Sequence, residues 1–292
     1  MSVTGDGNGD SVGWRATWSR RRVLSASAAV AVGALAGAGI ATSRHVVTER
    51  RTVVLPGLTR PLRAVFLVDL HYGPLVDAAA VAGWTALARA WSPDLVLWGG
   101  DLVDRAVSDD VAPLLAEVER LRAPLGAYAV LGNHDRAAFG SETSGFVDRL
   151  TTGGVRVLTN DSARVRDDLV VAGVDDLIKG RPDLAAALAG RTPGAATILL
   201  SHNPDVLPDV PADVGLTLAG HTHGGQICLP GGVPIVTSSR YGLRFARGWI
   251  DGPALGYVSR GLGFGWIPVR AYCPPELTVL DLLPSEPDPV TP

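Results

Sequence analysis

Cysteine is scarce in this chain, with two residues, Cys228 and Cys273, among 292. That number excludes a disulfide-knit scaffold and a cysteine-rich zinc module. The two thiols could pair in an oxidising compartment or stay free, and the sequence leaves both open. Any metal must therefore rest on His, Asp, Asn or Glu. A positive surplus is also missing: 26 Lys and Arg stand against 29 Asp and Glu, a net charge of −3. Proteins that grip a nucleic-acid backbone carry the opposite imbalance, so specific nucleic-acid binding is not expected. Histidine is rare, with six residues, so where each one falls carries weight. Apolar residues are plentiful at 47%, enough for a packed core and too many for wholesale disorder. The 35 glycines and 21 prolines imply many turns, as in a loop-rich α/β fold. The length suits one large domain with extensions, or two small ones.

The N-terminus reads as an address. Residues 1–13 are rich in Gly, Asp, Asn and Ser and are expected to be disordered. Ser19-Arg20-Arg21-Arg22-Val23-Leu24 follows, and Val23 to Ser43 carries no charge. A basic region, an apolar run and small residues such as Ala36-Gly37-Ala38 make a signal-peptide pattern. The paired arginines resemble a twin-arginine export signal. The charge-free stretch is also long enough to span a bilayer, so cleavage and retention as an anchor both stay open. Residues 1–43 are thus expected to be a disordered region plus a signal or anchor, 44–60 a short basic linker, and 283–292 a disordered tail. The expected location is outside the cytoplasmic membrane, in the cell envelope or secreted, reached through the twin-arginine machinery.

Between these ends, apolar runs alternate with amphipathic stretches. Leu62–Val68, Asp94–Trp98 and Ala127–Leu131 read as buried strands, and Asp77–Trp91 and Val111–Arg122 as helices. The second half shows shorter strands at 155–158, 169–174, 197–200, 215–219, 233–237, 255–259 and 277–282, with one helix at 182–188. This rhythm argues for an α/β fold over residues 61–282.

Five polar clusters punctuate it: Asp69-Leu70-His71, Gly99-Gly100-Asp101, Gly132-Asn133-His134-Asp135, Ser201-His202-Asn203-Pro204 and Gly220-His221-Thr222-His223-Gly224-Gly225. Any one could be a helix cap or a plain turn. Together they place five of the six histidines just past strand ends, where open α/β sheets build their sites. Only His45 lies elsewhere. Asp104 reads as a structural loop residue, and Tyr72 and Arg240 as possible substrate contacts.

The ordered set D-x-H, G-G-D, G-N-H-D, S-H-N-P and G-H-T-H-G-G resembles the calcineurin-like metallophosphoesterases. Within them it is similar to the exported bacterial YkuE/YaeI-like phosphodiesterase branch, as are Gly224-Gly225-Gln226-Ile227 and Cys273-Pro274-Pro275-Glu276. The resemblance covers about residues 61–282. It implies a four-layer α/β/β/α sandwich of two mixed sheets and a dinuclear centre of divalent ions. Mixed N and O ligands suit Mn, Fe, Zn, Co or Ni without choosing among them. By resemblance, Asp69, His71, Asp101 and His223 hold one metal, and Asp101, Asn133, His202 and His221 the other. His134 stands beside them, oriented by Asp135.

The implied reaction is phosphoester hydrolysis, a diester more than a monoester, by attack of a metal-bridging hydroxide. His134 acts either as general acid to the leaving oxygen or as a hydrogen-bond donor to phosphate. Phospholipids and cell-wall phosphodiesters are candidate substrates. The rival readings are a non-catalytic metal-binding scaffold of the same fold, which usually lacks part of this ligand set, and a dimetal hydrolase of other esters or amides. Trp249, Tyr257, Phe264 and Trp266 are either hydrophobic filling or an apolar rim near the metals.

Overall fold

The computed structural model describes residues 25, 33–41, 45–108, 110–265 and 267–285. The Ser19–Leu24 motif, residues 1–13, Trp266 and the end of the tail lie outside them, so the expectations placed there have no structural counterpart. Residues 33–41 are helical, and the Tyr272 hydroxyl donates to Leu35 O at 2.7 Å. Among the described residues no helix is long and apolar enough to cross a membrane.

In chain order the strands are β1 (Val47–Leu55), β2 (Leu62–Leu67), β3 (Leu95–Trp98), β4 (Ala127–Ala129), β5 (Val155–Val157), β6 (Asp161–Arg166), β7 (Leu169–Gly173), β8 (Ala196–Leu200), β9 (Leu216–Ala219), β10 (Cys228–Leu229), β11 (Val233–Pro234), β12 (Gly248–Ile250), β13 (Gly256–Val258) and β14 (Glu276–Pro284). The helices are α1 (Ala78–Arg89), α2 (Ala112–Arg120), α3 (Asn133–Phe139), α4 (Thr143–Thr152) and α5 (Leu184–Ala189). One six-stranded sheet runs β1-β14-β2-β3-β4-β5 and the other β12-β13-β9-β8-β7-β6, with β10 and β11 forming a separate hairpin. Both sheets are mixed. β2 to β5 are parallel while β14 runs against β2, and β7, β8, β9 and β13 are parallel while β6 and β12 run against their neighbours.

Local chemistry sets the elements. Asp77 Oδ1 accepts the Ala80 amide at 2.9 Å and starts α1, and Asp183 does the same for α5 through Ala186. α2 carries Pro113 in its first turn, where the missing N–H costs nothing. Along β2 the side chains alternate between two buried faces. Val65 and Leu67 pack with Val81 and Ala88 of α1, Leu114 of α2 and Leu150 of α4. Ala64 and Phe66 pack with Val171, Ile198 and Leu218 of the other sheet. A third cluster joins Ala172 and Leu199 to Ala187 and Leu188 of α5. The order is helices, sheet, sheet, helices, the expected four layers. Strands buried on both faces read as apolar runs rather than alternations. Truncating Phe66, fully buried between the sheets, to Ala would cost about 3–5 kcal/mol.

One boundary differs. Residues 47–55, expected within a linker, form β1, an edge strand paired along its whole length with β14. Only Val53 and Leu55 of β1 are buried. Arg50 faces outward and pairs with Asp281 at 2.6 Å, while Arg51 is half-buried beside Glu49 at 2.7 Å, so the strand's composition imitates a basic linker. The tail likewise begins later than expected, since β14 runs to Pro284.

Candidate metal centre

The polar clusters meet at one end of the sandwich. Asp69 follows β2, Asp101 follows β3, Asn133 and His134 open α3 beyond β4, His202 follows β8, and His221 and His223 follow β9. Each sits where a strand has ended and the chain must turn. The turns are strained. Asp69, His71, Asp101, His221 and His223 have φ of 55°, 52°, 50°, 69° and 51°, the left-handed region. Such residues cost of order 1–3 kcal/mol each and persist only where their surroundings over-determine them. Here the His71 amide donates to Asp101 O at 3.0 Å, the His221 amide to Asp69 Oδ2 at 3.0 Å, and the His134 amide to Asp101 Oδ1 at 2.8 Å. Gly132 is a glycine because a Cβ there would collide with the Asp101 carboxylate.

Asp69, His71 and His223 present ligand atoms within 4.8 Å of one another, and so do Asp101, His202 and His221. Asp101 Oδ2 lies between the groups, 3.5 Å from His71 Nε2 and 3.2 Å from His202 Nε2. His71 Nε2 and His223 Nε2 face each other at 3.0 Å. Two nitrogens bound to one ion at about 2.1 Å and at right angles stand about 3 Å apart, so this spacing suits a shared cation. Asn133 Oδ1 is buried without a hydrogen-bond partner, an expensive condition that a cation relieves. The His202 Nδ1 contact to Gly99 O, 3.0 Å, fits an Nδ1–H donor and turns Nε2 toward Asp101. The residues present therefore fit a pair of divalent ions sharing Asp101.

The electrostatics agree. Burial pushes Asp101 up, but His202 and His71 outweigh it and hold the carboxyl below the usual range. His202 is raised to about 10 because Asp101 and Asp69 overcome its burial. Burial, with His202 adding, lowers His221 to about 4. Burial, His71 and Arg270 keep His223 well below the ordinary range, in the neutral form that ligates. Without a cation, a proton on His202 supplies positive charge next to Asp101, so metal binding would release it.

The expected partnership of His134 with Asp135 is not found. Asp135 points into the protein, where its two oxygens accept the Val103 amide at 3.0 Å and the Gly132 amide at 2.9 Å. At the third helical position its carboxylate reaches back to the open amide preceding α3, leaving none of it for the ring. Burial, reinforced by Asp101, raises it to about 7. The ring neighbour is Asp104, expected to be structural, whose Oδ2 is 3.2 Å from His134 Nδ1. His71 beside it lowers Asp104 to about 2, with burial opposing and the Ala106 amide and His134 adding. A permanently charged carboxylate therefore faces His134, while burial lowers the imidazole from its usual value.

A cavity of about 390 Å³ opens above these groups, with Asp101, Asn133, His134, His221 and His223 among its lining. Arg240 is turned away onto Asp205 at 3.3 Å, and Tyr72 does not line the cavity. Tyr257 is buried and Phe264 packs against the helix-side core, so these two act as filling, while the exposed Trp249 lies edge-on against Tyr257 at 4.8 Å and does not line the cavity. Cys228 and Cys273 are buried, and their sulfurs both approach Gly224 O. Arg270 had no sequence signal: it comes from 47 residues downstream to touch His223 Nδ1 at 3.3 Å and to bond carbonyls behind the site. Asp104 had one, its place three residues after Asp101 in the same loop.

Comparison with known proteins adds the family. The calcineurin-like phosphoesterase family model matches residues 62–225. The chain is 33% identical over 284 residues to the uncharacterized metallophosphoesterase YkuE of Bacillus subtilis, covering 90% of this chain and 97% of that one. It is 32% identical to phosphodiesterase YaeI of Escherichia coli, covering 91% and 99%. It is 30% identical to the UDP-2,3-diacylglucosamine pyrophosphatase LpxG of Chlamydia trachomatis, covering 76% and 84%.

Proposed function

This chain belongs to the calcineurin-like phosphoesterase family, and on that premise we propose that it is a phosphodiesterase working with two divalent metal ions. The observation that carries the reading is Asp101 Oδ2, buried between a group built on His71 and a group built on His202. A shared carboxylate is what two adjacent cations require, since they repel. Asp69, His71, Asp101 and His223 would hold one ion, and Asp101, Asn133, His202 and His221 the other. When bound, such ions activate water and offset charge on the phosphoryl oxygens.

The chain's own residues do the rest. Strained turns hold the ligands in place before the ions arrive, so little reorganisation follows. Asp104 orients the His134 ring through Nδ1 and stabilises its protonated form. Nε2 then carries a proton to the leaving oxygen. Diesters are favoured because the relative YaeI is named a phosphodiesterase. Phospholipids and cell-wall phosphodiesters are the substrates considered.

The test is hydrolysis of bis(p-nitrophenyl) phosphate by the full chain, stripped of metal and reloaded with Mn²⁺. Activity that needs metal and falls in Asp101→Ala and His134→Ala supports the reading. Bound metal without hydrolysis of any phosphoester favours a scaffold. His134 as proton donor predicts a larger loss in His134→Ala for an alkoxide leaving group than for p-nitrophenolate. Equal losses indicate hydrogen bonding to phosphate alone.

We also propose export through the twin-arginine machinery, supported by Arg20–Arg22 and the charge-free run to Ser43. Fractionation of cells carrying Arg21→Lys/Arg22→Lys tests it: the double variant should stay in the cytoplasm, and unchanged export would refute this route.

A further inference from the structure

The cavity above the ligands has two unlike sides. Its floor is the Asp and His cluster, and one wall is aliphatic: Ile227, Ile235, Val236 and Ile267. Ile235, Val236 and Ile267 are 57%, 70% and 48% exposed. The β10–β11 hairpin beside them adds Leu229 and Val233, also exposed. Isolated surface aliphatics need no explanation, but a contiguous set rimming a polar centre does. The wall is tied to the ligand turn. Gln226, three residues after His223, donates its amide to Ile267 O at 2.7 Å and Val269 O at 3.0 Å, and accepts the Gly265 amide at 2.8 Å. The Ile267 segment is thereby held relative to His223, and the Ile235 amide reaches Ile227 O of the same ligand turn at 3.5 Å. Among the described residues lining the cavity there is no Lys or Arg. Several phosphates in a row would find no cationic side chain to meet them, whereas a single phosphoryl group with an aliphatic arm meets both sides.

We propose that the substrate is a phosphodiester with an aliphatic chain, which lies along Ile235, Val236 and Ile267 while its phosphoryl group occupies the ligand cluster. This rests on the phosphodiesterase reading and names its substrate class. The wall acts in binding and leaves the chemistry to the cluster.

The experiment uses the Mn²⁺-loaded full chain and two homologous series below their micelle concentrations. Hydrolysis of n-alkyl p-nitrophenyl phosphates, methyl to octyl, gives kcat/KM. Calorimetry with n-alkyl phosphates of the same lengths gives Kd without turnover. The expected result is a gain of up to about fourfold per methylene in both series. Ile235→Asn and Val236→Asn should flatten both slopes; at exposed positions they should leave the fold intact, checked by Tm. A flat slope in wild type with the methyl ester hydrolysed overturns the aliphatic substrate and leaves the phosphodiesterase intact. A slope in Kd without hydrolysis of any ester supports the wall and overturns the phosphodiesterase. Octanol binding as tightly as octyl phosphate, without need of metal, would make the wall a general lipid-adsorbing surface and overturn the proposal.

Discussion

The two ends of the sandwich bury the same kind of residue to opposite effect. At the end where β2 and β7 begin, Asp168 is buried and fully occupied. It accepts the Thr59 amide at 2.8 Å and hydroxyl at 2.6 Å, and pairs with Arg166 at 2.8 Å. At the end where β2, β3, β8 and β9 finish, Asp69 and Asp101 lie among five histidines, on left-handed backbone, next to polar atoms with no partner. The first arrangement closes its polar accounts within the protein. The second leaves them open for something that binds. A buried acid with partners stabilises a fold, whereas a buried cluster left short of partners is paid for by packing elsewhere and marks function.

Four measurements sharpen or break this contrast. The largest effect is expected at Asp101. Asp101→Ala should lower kcat/KM by about 10³-fold, the upper range for losing one preorganised electrostatic contact, while the metal-free protein loses about 1–3 kcal/mol because the His134 amide loses its acceptor. A kcat/KM close to wild type would remove Asp101 from the metal centre. Next is chelation. If ions complete the cluster, saturation at about 100 times Kd adds about 2.7 kcal/mol of stability, and chelator should remove it in wild type and change nothing in Asp101→Ala.

Third is the pair Asp104→Ala and Asp135→Ala. Losing the carboxylate that orients His134 should cost about 10–100-fold in kcat, with the fold intact. Asp135→Ala should instead destabilise by about 1–3 kcal/mol, because the Val103 and Gly132 amides lose their acceptor. Kinetic loss in Asp135→Ala with unchanged Tm would reverse the assignment.

The smallest effect is at the far end. Burial raises Asp168, but Thr59 and Arg166 outweigh it and hold its carboxyl below the ordinary value. A depressed carboxylate contributes stability that is full above the unfolded pKa near 4 and is lost as pH falls below it. Asp168→Asn should therefore lower Tm slightly at neutral pH and flatten its fall on acidification, with kcat untouched. An altered kcat would mean the two ends are coupled.

The two halves of the chain were not equally legible. Runs such as Leu62–Val68 and Asp94–Trp98 announce strands because both faces are buried, and the polar residues that end them stand out by contrast. That contrast placed all seven candidate ligands and His134 in one region. β1 was hidden, since an edge strand with only Val53 and Leu55 buried carries little apolar signal. α3 was hidden as well, because its first turn is the G-N-H-D cluster itself. Asp135 was misplaced because the resemblance assigned it to the His134 ring, whereas consecutive residues in a helical turn point apart. The stretch 233–237, expected as a strand, forms only a two-residue pairing and then leaves Ile235 and Val236 along the cavity, a role no periodicity encodes.

The central claim is a cation pair sharing Asp101. Electron paramagnetic resonance of the full chain titrated with Mn²⁺ tests it most directly. Two ions bound per chain with an exchange-coupled signal, lost in Asp101→Ala, is the predicted result. A single ion, or two that stay uncoupled, would contradict it.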